Sequence, residues 1–164
     1  MKVNISLALS LLLLALAGCA GQGQKSALVG GSPALAQPQA SRVIVKLNSD
    51  GRLPAGSQIG GLSATLSYTD GKGLSIAPSN VVVSGAGVGA TLVPNTTKAD
   101  RVVFALIKVN GLETGEFATL SFDVARGSFP SAADFSVAAG AHAIDTLNRP
   151  LAGIGVSIAS VTLQ

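Results

Sequence analysis

The run Leu62-Ser63-Ala64-Thr65-Leu66-Ser67-Tyr68, closed by Thr69-Asp70-Gly71-Lys72-Gly73, decides the fold. Apolar and small hydroxyl side chains alternate with a period of two, which places Leu62, Ala64, Leu66 and Tyr68 on one face of a strand and Ser63, Thr65 and Ser67 on the other. The residues that follow favour a turn, because glycine and aspartate adopt conformations that a strand cannot. Upstream, Val43, Val45 and Leu47 alternate with Arg42, Ile44 and Lys46 until Asn48-Ser49-Asp50-Gly51 stops the pattern.

Downstream, short apolar runs at 74–77 and 80–84 are separated by Pro78, and residues 85–90 are rich in glycine. A short edge strand is expected at 91–93, ahead of a loop at Pro94-Asn95-Thr96-Thr97. Residues 101–109 are apolar on both parities, which predicts an interior strand covered at least in part on both faces. In 116–124, Ala118, Leu120, Phe122 and Val124 share one face. A loop with one helical turn at 131–134 leads to a strand at 135–138, and residues 145–150 are turn-rich. The last strand, about 153–163, changes its apolar parity after Ile158, and such a change predicts a bulge near Ile158 or Ala159. No ten-residue stretch after the N-terminal region has a helical period.

These strands predict an all-β fold, an antiparallel β-sandwich of about eight to nine strands, with an up-and-down barrel as the alternative. The sandwich is preferred because single-faced strands stand beside one that is apolar on both faces. Composition agrees: charged residues are 12% of the 164, glycines number 20, and tryptophan is absent. The net charge is +3, but lysines and arginines are scattered singly, so the basic stripe that nucleic acid requires is missing.

The N-terminus carries a different signal. Lys2, an uncharged apolar run at 5–17 and small residues before Cys19 make up a secretory leader, too short for a spanning helix. Leu16-Ala17-Gly18-Cys19 resembles the lipobox of bacterial lipoproteins. That resemblance implies cleavage of residues 1–18 and lipid attachment at Cys19, the one cysteine of the chain. It also implies an exported, lipid-anchored protein, at the outer membrane of a Gram-negative cell or at a cell surface. Residues 19–41 read as the lipidated N-terminus and a flexible tether, holding a domain at 42–164 on average roughly 25 Å from the membrane, from about 5–6 Å times the square root of residue number.

Candidate chemistry is sparse. Gly85-Ala86-Gly87-Val88-Gly89-Ala90 fits a dinucleotide fingerprint in form, but no helix can open there before Pro94. His142 is a lone loop histidine without a second nitrogen or sulfur ligand. Asp134 with Asp145, or Glu113 with Glu116, could in principle form a glycosidase pair, and Asp70 or Asp145 could offer oxygen to calcium. Solvated turn acids are the ordinary alternative for all of them. Asn95-Thr96-Thr97 is a sequon in form, read as a turn. For stacking on sugar rings the aromatic candidates are Phe117, Phe129 and Phe135.

Three stretches resemble the cohesin-like sandwich, an architecture shared with several cellulose-binding modules. They are Leu62–Tyr68 with its turn and Leu74, then Gly115-Glu116-Phe117-Ala118-Thr119-Leu120-Ser121-Phe122-Asp123-Val124, and finally Phe135-Ser136-Val137 leading to Gly155-Val156-Ser157-Ile158. The resemblance implies a non-catalytic receptor that grips a protein partner on one sheet face. The expected function is therefore a membrane-anchored protein-binding module without a cofactor or metal; the alternative is a glycan- or polysaccharide-binding module.

Overall fold

The computed structural model describes residues 39–164. The expectations for the leader at 1–18, for Cys19 and for the tether as far as residue 38 lie outside the described residues. Ten strands follow: β1 (Arg42–Asp50), β2 (Ile59–Tyr68), β3 (Leu74–Ser75), β4 (Val81–Val83), β5 (Thr91–Lys98), β6 (Arg101–Leu112), β7 (Gly115–Val124), β8 (Phe135–Val137), β9 (His142–Asp145) and β10 (Gly155–Leu163). Among the described residues there is no α-helix, only three short 3₁₀ turns.

The strands form two antiparallel sheets. The first runs β10-β1-β7-β3, with β4 beside β3 on the same edge of β7; the second runs β5-β6-β2-β8, with β9 also on β2. No strand pairs from one sheet into the other, so the fold is a sandwich and not a closed barrel. Its core is built from the alternation read in the sequence. Val43, Val45 and Leu47 of β1, Leu62, Ala64, Leu66 and Tyr68 of β2, and Ala118, Leu120 and Phe122 of β7 are all buried. Phe122 is central, its ring 5.0 Å from that of Tyr68 and 5.2 Å from that of Phe135, both in edge-on geometry.

The bulge expected in the last strand is present. Lys46 pairs with Ser160 and Leu47 with Ile158, leaving Ala159 as the extra residue. A second bulge, in β7, was not legible. Leu47 pairs with Ala118 and Asn48 with Glu116, so Phe117 is skipped in the ladder and both Phe117 and Ala118 point inward. The glycine-rich segment packs against this irregularity: a Cβ on Gly87 would sit 2.1 Å from the Phe117 carbonyl oxygen. Glycine is required there for close approach and not for a phosphate. Gly85–Gly87 is a single 3₁₀ turn leading into β5, and no helix opens at it.

Other expectations need correction. The loop expected at 94–97 is part of β5, where Pro94 pairs with Phe104; β5 is an edge strand, and a residue without an N–H is tolerated there. β9 replaces a stretch expected to be loop. Its pattern is only four residues long and puts an aspartate, Asp145, on the buried parity, so no apolar period marks it. The largest correction concerns β6. Val102, Phe104 and Leu106 are buried, but Val103, Ile107 and Val109 are 42%, 59% and 87% exposed. The second apolar face of this strand is uncovered.

Candidate binding face

Register alone assembles the exposed face of the second sheet. One cross-strand row is Thr91, Ile107, Gly61 and Ile144; the next is Val93, Ala105, Ser63 and His142. Asn95, Val103 and Thr65 form a third, and Lys98, Arg101, Ser67 and Ser136 a fourth. The β5–β6 half is thus apolar, with Val93 61% exposed beside Val103, Ile107 and Val109. The β2 half is small and hydroxylated. No carboxylate stands in these rows. Arg101, the one arginine, is neutralised by Asp100, whose Oδ1 accepts from its Nε at 2.9 Å.

A shallow depression of about 200 Å³ crosses the face between Ile107 and Ile144, floored by Gly61, Ser63 and Ala105, with His142 at its rim. The floor is low because Gly61 has no side chain: Ile144 occupies that space, and a Cβ on Gly61 would lie 2.9 Å from Ile144 Cγ1. The outer face of the first sheet is different in kind. Lys46 Nζ donates to Glu116 Oε2 at 3.1 Å, and Arg42 lies 3.6 Å from Asp123. One side of the sandwich is laced with ion pairs, and the β5–β6 half of the other is apolar. A contiguous apolar patch rimmed by polar residues marks an interaction surface, whereas paired charges in water mark a solvated one.

The carboxylates singled out in the sequence do not converge. Asp134 adjoins the pair Phe135–Tyr68 at one end of β2, and Asp145 pairs with Ile59 at the other. Nine steps of about 3.3 Å separate those ends, roughly 30 Å, far beyond the span of a glycosidase pair. Glu113 accepts from Gln58 and Glu116 is engaged by Lys46, while Asp70 caps the N–H of Gly71. Among the described residues no group of three or more His, Cys, Asp or Glu side chains could hold a metal ion. His142 belongs to β9, on the outer face, and not to a loop. Asn95 is a strand residue whose Oδ1 accepts from the Thr97 N–H and hydroxyl. Of the aromatic candidates, Phe117 is fully buried and Phe135 nearly so; Phe129 alone is exposed. One ring does not make a sugar-stacking platform.

Asp145 is not a solvated turn acid either. It is 4% exposed, and its Oδ1 accepts from the N–H groups of Leu147 and Arg149 at 2.9 and 2.8 Å while Oδ2 accepts from Arg149 Nε at 2.7 Å. The Arg149 amide, chiefly, holds its pKa below the usual aspartate value. Asp134 is held low in the same way, first by the N–H of Ser131 at 2.7 Å in a capping box. A carboxylate whose folded pKa is depressed stabilises the fold fully above its unfolded pKa, near 4, and this contribution is lost as pH falls through the folded value. Thermal melts should therefore give a flat melting temperature from pH 7 to about 5 and a decline below about 4, with a smaller acid-induced decline in Asp145→Asn. A melting temperature that rises on acidification would contradict these assignments.

No family model matches the chain, and no curated protein matches it either. Solved structures do. A non-cellulosomal cohesin from the hyperthermophilic archaeon Archaeoglobus fulgidus superposes with a TM-score of 0.54 at 16% identity, covering 75% of this chain and 84% of that one. The sixth cohesin of scaffoldin B from Acetivibrio cellulolyticus, solved in complex with a mutant Cel5 dockerin, gives 0.53 at 16% identity, covering 72% and 88%. At this identity the likeness is one of architecture. The described chain folds as a cohesin-like β-sandwich.

Proposed function

We propose that this chain is a lipid-anchored, non-catalytic receptor module that binds a protein partner on the outer face of the β5-β6-β2-β8 sheet. The observation that carries the reading is the exposed second face of β6, where Val103, Ile107 and Val109 stand in a sheet face without a carboxylate. Such a stripe is costly in an isolated domain and suits the apolar core of an interface with a polar rim. The Acetivibrio cohesin was solved with a dockerin bound, so a sandwich of this architecture serves elsewhere as a protein receptor. The test is co-purification of partners from envelope extract with the wild-type chain, with Ile107→Asp, and with Val82→Asp on the opposite face. The reading expects the partner to be lost with Ile107→Asp and retained with Val82→Asp; the reverse pattern, or no partner above background, would refute it.

The anchor rests on Leu16-Ala17-Gly18-Cys19. A thiol at Cys19 is the acceptor that a thioether-linked lipid requires, and at roughly 0.8 kcal/mol per buried CH₂ two or three acyl chains make release negligible. Metabolic labelling with a fatty acid should mark the wild-type chain and leave Cys19→Ala unlabelled and uncleaved. An unlabelled wild type would remove the anchor from the account.

A further inference from the structure

The sandwich treats its edges unequally. β5 carries Pro94 and Lys98, and the edge beyond β7 is divided into β3 and β4 by the 3₁₀ turn Pro78–Asn80. The edge beyond β2 is divided into β8 and β9, of three and four residues. Interruption, proline and lysine are the usual devices that stop an edge from pairing with another chain. A bulge is another such device, and β10 has only that one, at Ala159, with no interruption, proline or lysine. It is nine residues long, Gly-Val-Ser-Ile-Ala-Ser-Val-Thr-Leu, without a charge or a proline. Among the described residues no strand lies on its outer side.

Which groups it offers follows from the ladder. Arg42 and Gln164 exchange both backbone bonds, at 3.0 and 2.8 Å. Alternation along an antiparallel pair then directs Thr162 and Ser160 toward β1 and Val161 and Leu163 away from it. Beyond the bulge at Ala159, Ser157 and Gly155 face β1 and Ile158 and Val156 face outward. These four outward residues also share a side-chain face, because their partners on β1 are Val43, Val45, Leu47 and Ser49, all buried. At the margin of the sandwich they are covered only in part, and Leu163 is 44% exposed.

We propose that two copies of this chain join edge to edge through β10, antiparallel about a two-fold axis, and so continue the first sheet from one copy into the other. One register uses every open position: Val161 opposite Ile158 of the second copy, and Leu163 opposite Val156 of the second copy. In it each outward N–H and C=O meets an outward group, and apolar side chains meet apolar side chains on the core side. The bulge lies on the axis, with Ala159 and Ser160, both exposed, across from their counterparts. A neutral strand pairs with itself without repulsion, and a two-fold interface of this kind is closed, so it gives a dimer and not a fibre. The second copy is thus the occupant that β10 matches best. The inference stands on a different surface from the proposed partner face.

The test is the mass of the full chain, extracted from membranes in detergent with its natural N-terminus, by sedimentation equilibrium. The wild type should weigh two chains. Ser160→Glu, at an exposed position opposite Lys46 of β1, faces a cation within one chain and a second carboxylate only across the axis, so it should weigh one chain with a melting temperature no lower than wild type. Mixing equal amounts of S160K and S160E chains should restore the double mass. Ile107→Asp should remain a dimer, which separates this interface from the partner face. A monomeric wild type overturns the proposal, as does a dimer that persists in S160E or is lost in I107D. So does a monomer that carries a strand of another protein on β10.

Discussion

Phe117→Ala lowers the free energy of unfolding by about 3–5 kcal/mol, the range for truncating a fully buried phenylalanine. The ring is wholly inaccessible and stacks at a tilt on Phe104, with centroids 5.8 Å apart, in a region where the backbone cannot collapse to fill a void. Gly87 is already pressed against the Phe117 carbonyl, and the β7 bulge fixes the direction of the side chain. Since a domain of this size has only about 5–15 kcal/mol of stability in total, the variant should be marginal at physiological temperature. Phe129→Ala, at a position 59% exposed, should change stability by no more than about 0.5 kcal/mol. Urea unfolding of both variants gives the comparison. Equal, small effects would mean that Phe117 is not in the core and that the bulge is misplaced.

The second large effect is on binding. Ile107→Asp should weaken association with the partner at least about 100-fold, or about 2.7 kcal/mol, while leaving the melting temperature within a few degrees of wild type. Ile107 lies at the centre of the apolar rows, between Thr91 and Gly61, and forms one wall of the shallow depression. Truncation there removes a central apolar anchor, and an aspartate adds the cost of burying a carboxylate where no cation faces it. Val103→Asp, nearer the Arg101 end of the same strand, should cost less, because Lys98, which pairs with Arg101 in the next row, can answer the new charge. Folding is spared in both, since these side chains are exposed in the free domain. A titration in which Ile107→Asp binds as tightly as wild type would exclude this face as the contact.

The sandwich was legible because its long strands obey a simple period. β1, β2 and β7 each bury alternate residues, and the parity change in the last strand marks the bulge at Ala159. What escaped were features set by neighbours in space. An apolar residue on the second parity of β6 has the same identity whether or not a layer covers it, so Ile107 read as interior when it is surface. Phe117 read as exposed because a bulge in the middle of β7 shifts its direction without changing the sequence period on either side. Asp145 read as a turn acid because its partners, the amides of Leu147 and Arg149, are supplied by the loop that it closes. The candidate face was thus visible in composition, as a strand apolar on both sides, but its exposure was decided by the absence of a covering layer.

The most direct measurement is site-specific photo-crosslinking in intact cells, with a photoreactive side chain at Val109, 87% exposed on the proposed face, and separately at Val82, 49% exposed on the opposite one. The account predicts a discrete crosslinked protein from position 109, abolished when Ile107→Asp is present in the same chain, and none from position 82. Crosslinking from Val82 alone, or from Val109 undiminished by Ile107→Asp, would contradict it.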